Sequence, residues 1–348
     1  MKAIIETMST RSFWVAAIFT LICAVAGGSF LATLPYLAVV GSLVISLLLG
    51  MVFQVWRTGG VNAAESGIGF ISNKFLRLGI ILLGFKLNLI DLAAAGVKTI
   101  TLAIFVVTGT IILTYWIARK MGVDPALSIL TASGTGICGA AAVMGISPQI
   151  TVSKSESQKK HEDEVLAVAI VAIMGTVFTL LEIGLKPILH MTPTQFGGVM
   201  TGGSLHEIAH AVAAGGAGGP VSLDTAIITK LSRVLMLAPA AFIIGAWWQR
   251  QAKKHGVQSE TNGKLPIPWF MAGFILASVI GTFVPLGATV LTWLVKLAYI
   301  FLGMAMAALG MSVNFRVIAN RGAKPFTASA IASTILLIFV AVVSKLFF

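Results

Sequence analysis

Three groups of residues have types and spacings that can do chemistry. His206-Glu207-Ile208-Ala209-His210 satisfies His-Glu-x-x-His. On a continuous helix that spacing puts both imidazoles on one face, with the glutamate free to act as general base of a zinc peptidase. A third ligand is needed, and Asp224 is poorly spaced to supply it. A polar relay or substrate-lining cluster suits His206, Glu207 and His210 better, and a structurally satisfied polar cluster is the plain alternative. The second group is Ser133-Gly134-Thr135-Gly136-Ile137-Cys138-Gly139-Ala140. Each of its glycines weakens a helix by about 1 kcal/mol relative to alanine. A helix interrupted there offers free N–H groups and the positive end of a half-helix dipole, a seat for an oxyanion. Close helix packing through small residues is the competing reading. No Gly-Lys-Ser/Thr ending follows, so this is not a phosphate loop. The third group is two Lys-x-x-Arg pairs, Lys74 with Arg77 and Lys230 with Arg233, each placing two cations on one helix face.

The elements that carry these groups must be membrane helices. Of the 348 residues, 57% are hydrophobic and only 10% charged, with a mean hydropathy of +0.97. A soluble domain carries roughly 25% charged residues. Stretches of about 20 apolar residues can cross a bilayer core, and the chain offers eleven, near 13–32, 35–55, 68–88, 99–118, 126–148, 165–185, 194–214, 225–248, 268–285, 289–312 and 326–346. The longest polar stretches, Ser153–Glu164 and Gln249–Lys264, read as loops, so no separate soluble domain is expected.

The net charge of +12 comes from 24 basic and 12 acidic residues. Nucleic-acid binding is a poor explanation, because no basic cluster lies on a polar helix. With the N-terminus inside, eleven crossings put Lys2, Arg11, Arg57, Arg119, Lys120, Lys186, Arg250, Lys253, Lys254, Lys264, Arg316, Arg321 and Lys324 on the inner side. Lys86, Lys98, Lys154, Lys159, Lys160 and Lys345 fall outside. The inner excess predicts N-inside and C-outside. Lys74, Arg77, Lys230, Arg233 and Lys296 remain within spans, where charge is expensive and normally faces a cavity or partner, unless the side chain snorkels.

The two Lys-x-x-Arg pairs lie five spans apart, on oppositely directed helices. That spacing predicts an inverted repeat of five helices, about 35–185 and 194–346, after one N-terminal helix. A second likeness, Leu83-Gly84-Phe85-Lys86-Leu87-Asn88-Leu89 with Leu309-Gly310-Met311-Ser312-Val313-Asn314-Phe315, lies seven spans apart and out of that register. It makes Asn88 and Asn314 weaker site candidates.

The glycine run at 133–140, Gly203-Ser204-Leu205-His206-Glu207-Ile208-Ala209-His210, Lys230-Leu231-Ser232-Arg233-Val234-Leu235-Met236 and Leu309-Gly310-Met311-Ser312-Val313-Asn314 together resemble the YeiH family of bacterial inner-membrane proteins. The likeness covers nearly the whole chain. The family is generally described as sulfate exporters and is grouped loosely with cation/proton antiporters and bile-acid–sodium symporters. The resemblance implies inverted five-helix repeats whose fourth helices, here spans 5 and 10, are broken and cross near mid-membrane. Span 5 has its glycine run, whereas span 10 has only Gly303 and Gly310, and neither carries an acid; proton coupling would fall to Glu207 and the histidines of span 7.

The expectation is an all-α polytopic membrane protein of the bacterial inner membrane, one transmembrane domain over 1–348, working as a secondary transporter of a small anion rather than as an enzyme. Sulfate or a related sulfur oxyanion is what the resemblance implies as substrate. Ser133, Gly134, Thr135, Gly136 and Gly139 would line the seat. Lys74, Arg77, Lys230 and Arg233 would be charge partners or gates, and His206, Glu207 and His210 would relay protons or line the path. Expected partners are the anion, a coupling proton or sodium and the lipid bilayer, with a second copy of the chain as a further candidate. No cofactor, metal or nucleic acid is expected. The alternatives are an intramembrane zinc peptidase and an anion channel. Cys23 and Cys138 both fall within spans, which argues against a stabilising disulfide.

Overall fold

The computed structural model describes residues 10–26, 42–56, 65–94, 96–153, 156–254, 269–311 and 319–348. In chain order its main helices are α1 (Arg11–Val25), α2 (Ser42–Trp56), α3 (Glu65–Leu83), α4 (Gly96–Lys120), α5 (Pro125–Gly136), α6 (Ala140–Ile146), α7 (Ser157–Leu189), α8 (Thr194–Thr201 as a π-helix, continued by Gly202–Ser204), α9 (Ile208–Ala217), α10 (Pro220–Leu235), α11 (Leu237–Lys254), α12 (Trp269–Phe283), α13 (Ala288–Met311) and α14 (Ala323–Phe347). Among the described residues the regular structure is all helical. Among the described residues, six stretches are long and apolar enough to cross a membrane: Ser66–Lys86, α4, α7, Pro220–Gln251, α13 and α14.

The helices form two compact units. One contains α1, α2, α3, α12 and α13. Its helices meet backbone to backbone: a Cβ on Gly50 or on Gly310 would run into the main chain at Ala307 and Leu47 respectively, so α2 and α13 are fitted through small residues. The second unit contains α4 to α11 and α14. Both units draw on both of the halves 35–185 and 194–346.

In the second unit, α7 sets the axis. The ionic contacts of its first turns mark one end. Lys159 pairs with Asp124 at 2.5 Å, and Arg321, just before α14, pairs with Asp163 and Glu162. Glu164 accepts from Ser147, and Trp248 of α11 donates to the Thr151 carbonyl at 2.9 Å. The far end of α7 meets α8 and α9: Lys186 donates to the Ala217 carbonyl, and its ammonium lies 6.0 Å from the Phe196 ring centroid. Ser344 near the end of α14 donates to the Gln195 carbonyl, also at this end.

These contacts revise two of the eleven expected crossings. The segment 125–149 starts at Asp124 and finishes at Ser147–Gln149, both against the first turns of α7. It enters the unit and returns to the end it left. The sequence explains why. Asp124 caps α5 through Ala126 N at 3.1 Å and Pro125 occupies the first turn, a strong helix start. The helix stops at Gly136, and the chain reverses through Ile137, Cys138 and Gly139, whose φ of +72° suits glycine alone. With 12 residues, α5 is about 18 Å long, short of a hydrocarbon core of about 30 Å. The return arm, α6, then packs on α5, with Val143 over Gly134.

The segment 194–217 does the same from the other end. Phe196 at its start and Gly218 just past its end lie together beside Lys186. Its reversal is at Leu205, His206 and Glu207, where the backbone is extended (ψ 152° at Leu205, 159° at Glu207). The expected spans 5 and 7 are thus two re-entrant helical hairpins, inserted from opposite ends of α7.

This moves Lys159 and Lys160 to the end that holds Arg119, and Lys186 to the opposite end. It also corrects the expected broken pair. Span 10 is the uninterrupted helix α13, in the other unit; the second break is in span 7.

Candidate functional site at the hairpin tips

The two reversals meet in the interior of the second unit. At its C-terminus a helix leaves backbone carbonyls unpaired and carries the negative end of its dipole. Here two such ends, at Gly136 and Ser204, come together. Both are served by α10, whose Lys230 and Arg233 sit three residues apart on one face and are fully buried. Lys230 donates to the Leu205 carbonyl at 2.6 Å and the Ile137 carbonyl at 2.9 Å. One Arg233 terminal nitrogen donates to Gly203 at 2.8 Å, Leu205 at 2.9 Å and Gly202 at 3.4 Å. The other donates to Gly136 at 2.8 Å and Thr135 at 3.4 Å. Each cation therefore bonds both tips. A buried, solvent-free charge is costly unless its donors are paired, and backbone carbonyls do most of that work. The Arg233 Nε stays buried without a hydrogen-bond partner.

The acids take the complementary places. Glu207 lies over Gly139; a Cβ there would run into the Glu207 side chain. Its Oε1 accepts from Ala140 N at 3.5 Å, and its Oε2 is buried without a hydrogen-bond partner. Glu182 of α7 accepts from Ser204 Oγ at 2.6 Å through one oxygen, and its other oxygen is buried and unpartnered.

Helix α14 supplies a pair of hydroxyls one turn apart. Ser329 shares a hydrogen bond with Thr135 at 2.9 Å, and Ser333 shares one with His206 Nε2 at 2.9 Å, so each tip is tied to the same helix. His210 faces α7 instead, 3.4 Å from Thr176 Oγ1, its ring in the space a Cβ on Gly175 would take.

The five residues do not form the zinc-peptidase arrangement. It needs an unbroken helix from His206 to His210, but α9 begins at Ile208 and the two rings address different helices. Among the described residues no group of three His, Cys, Asp or Glu side chains is placed to hold a metal ion.

Of the residues singled out in the sequence, Ser133, Gly134, Thr135, Gly136, Gly139, His206, Glu207, His210, Lys230 and Arg233 all lie in this unit and are buried. Ser133 and Thr135 turn their hydroxyls back to the carbonyls of Ile129 and Thr131, within their own helix. Lys74 and Arg77 belong to the other unit. Lys74 is exposed, and the half-buried Arg77 guanidinium lies 5.9 Å from the Phe270 ring centroid, so the two Lys-x-x-Arg pairs have unlike surroundings. Asn88 is exposed and accepts from Ile90 N at the start of a short helical turn. Asn314 lies outside the described residues. Sequence reasoning missed Glu182, Ser204, Ser329 and Ser333 as site residues. The usable signals were the rarity of an acid such as Glu182 within an apolar span and the four-residue spacing of the two α14 serines.

Comparison with known proteins places this chain in a family. The family profile described as "Conserved hypothetical protein 698" matches residues 16–329. A UPF0324 membrane protein of Lactobacillus johnsonii is 60% identical over 346 residues, covering 99% of this chain and 100% of the relative. A UPF0324 membrane protein of Bifidobacterium longum is 54% identical over 329 residues (92% and 91%), and one of Bacillus cereus is 43% identical over 319 (91% and 90%). The chain belongs to the UPF0324 family of membrane proteins, the YeiH family its four motifs resemble.

Proposed function

We propose that the protein is a secondary transporter that carries a small anion across the bacterial inner membrane through the meeting place of the two hairpin tips. The observation that carries this reading is the pair of buried cations, Lys230 and Arg233, fastened to two helix breaks that enter from opposite ends. Irregular backbone at membrane depth persists only where protein or a watery cavity satisfies it, and interrupted helices of this kind build substrate sites in transporters. Sulfate or a related sulfur oxyanion is the substrate class that the family resemblance suggests, and the buried, unpartnered Arg233 Nε is a donor suited to it.

The end of the second unit that holds Asp124 and Arg321 faces the cytoplasm in this reading. Among basic residues with described side chains in that unit, Arg119, Lys120, Lys159, Lys160, Arg250, Arg321 and Lys324 lie at that end, against Lys98, Lys186 and Lys345 at the other. That asymmetry has the sign of the positive-inside rule.

The test is flux in proteoliposomes over a panel of oxyanions, with and without pH and sodium gradients. Saturable, anion-selective movement that shows counterflow is the expected result. Movement without saturation or counterflow would make the protein a channel, and no anion movement under any gradient would overturn the reading.

A further inference from the structure

Glu207 stands between the two hairpin tips. It is the acid that reaches across from one tip to the other: its side chain covers Gly139, and its Oε1 lies 3.5 Å from Ala140 N. Its second oxygen is buried without a hydrogen-bond partner, and so is the Arg233 Nε. An ionised carboxylate and a small oxyanion ask for the same surroundings, namely N–H donors and a neighbouring cation.

The titratable groups around it come from four directions. Lys230 and Arg233 belong to α10, Cys138 to the reversal between α5 and α6, and Glu182 to α7. His206 and His210 flank Glu207 in its own segment. Lys230 is the cation that acts on Glu207 electrostatically. Helix α14 contributes only the hydroxyls of Ser329 and Ser333. With both carboxyls ionised, Glu182 and Glu207 balance Lys230 and Arg233. A proton on Glu207 leaves one positive charge uncompensated, and an arriving anion restores the balance.

We propose that the Glu207 carboxylate is a tethered competitor of the transported anion. It holds the place between the tips while ionised, and gives it up when it is protonated, so the anion binds together with a proton. A monovalent anion is neutralised by the proton on Glu207. A dianion calls for a second proton, and Glu182 is the remaining carboxyl in the cluster. The proposal rests on the transporter reading and adds to it the coupling ion and the residue that enforces coupling.

The experiment measures equilibrium binding of inorganic sulfate, sulfite and chloride to the full chain in lipid nanodiscs from about pH 5 to 9, for wild type and Glu207→Gln. Wild-type affinity should fall by about tenfold per pH unit above the titration of Glu207, for each proton bound with the anion. Glu207→Gln should lose one such factor of ten per unit and bind more tightly than wild type at high pH. Should the amide variant fail to fold, two other readings decide. Proton uptake by wild type on anion addition should match anion bound one for one or better, and Glu207→Asp, whose shorter arm reaches Ala140 less well, should bind more tightly than wild type at high pH. A Glu207→Gln protein with the wild-type pH slope, or binding without proton uptake, would overturn the proposal and leave the transporter reading standing. No binding of any of the three anions by wild type at any pH would remove the transporter reading for them, and the proposal with it.

Discussion

Glu207 fills the space that a Cβ on Gly139 would need, so the tip of each hairpin is shaped by the other. The contact joins two chain reversals that start from opposite ends of α7 and lie 68 positions apart in sequence. Because Gly139 also has φ +72°, the position rejects side chains on two independent grounds.

Gly139→Ala should therefore be costly. A φ of +72° with a ψ of −137° is backbone that costs a residue with a Cβ roughly 1–3 kcal/mol, and displacement of Glu207 adds to it. A lowered melting temperature in detergent and loss of anion flux are expected. Gly184→Ala is the control. It lies inside α7, has no atom within 4 Å of an added Cβ, and should be neutral or stabilising by about 0.5–1 kcal/mol.

Arg233 should not be replaceable by lysine. Its two terminal nitrogens reach Gly136 on one tip and Gly203 on the other, a fork that a single ammonium cannot reproduce. Arg233→Ala strands several buried carbonyls at about 1–3 kcal/mol each. Thermal melts should rank wild type above Arg233→Lys and Arg233→Lys above Arg233→Ala. Equal stability of wild type and the lysine variant would contradict the fork.

Asp124 makes the first hairpin's base sensitive to acid. Burial raises its pKa, but hydrogen bonds from Lys159 and Ala126 N and the Lys159 charge outweigh burial and hold it below its usual value of 3.8. A depressed carboxyl stabilises the fold above its unfolded value, and that contribution is lost as pH falls through the folded one. Wild type should be more stable than Asp124→Asn near pH 7, and the gap should close below about pH 4. Asp124→Ala also removes the helix cap and should lose a further 0.5–2 kcal/mol, roughly.

The sequence made much of this legible. Apolar runs marked α4, α7, α13 and α14, and the glycine run marked the first reversal. Lys230 and Arg233 drew attention because cations are out of place in a span. What they hold in the fold was not legible: their hydrogen bonds go to the backbone carbonyls of both tips. The hairpins were also hidden, because two half-length apolar helices joined by a short reversal total the same 20-odd apolar residues as one crossing. Hydropathy counts residues and not direction. The second break was masked in a different way. His-Glu-x-x-His suggested a helix, while the three residues that end it, Leu205, His206 and Glu207, include no residue that forbids one. Ser329 and Ser333 gave only a spacing, and Glu182 became a site residue only when α7 brought it to Ser204.

The claim on which the account depends is that 125–149 and 194–217 enter from opposite ends and return. Sidedness of single cysteines tests it, in a background with Cys23 and Cys138 replaced by alanine. Lys120→Cys, Ser157→Cys and Thr194→Cys are probed in oriented membranes with an impermeant maleimide. The account predicts that positions 120 and 157 react from one side and position 194 from the other. Labelling of 120 and 157 from opposite sides would make 125–149 a full crossing and contradict the account.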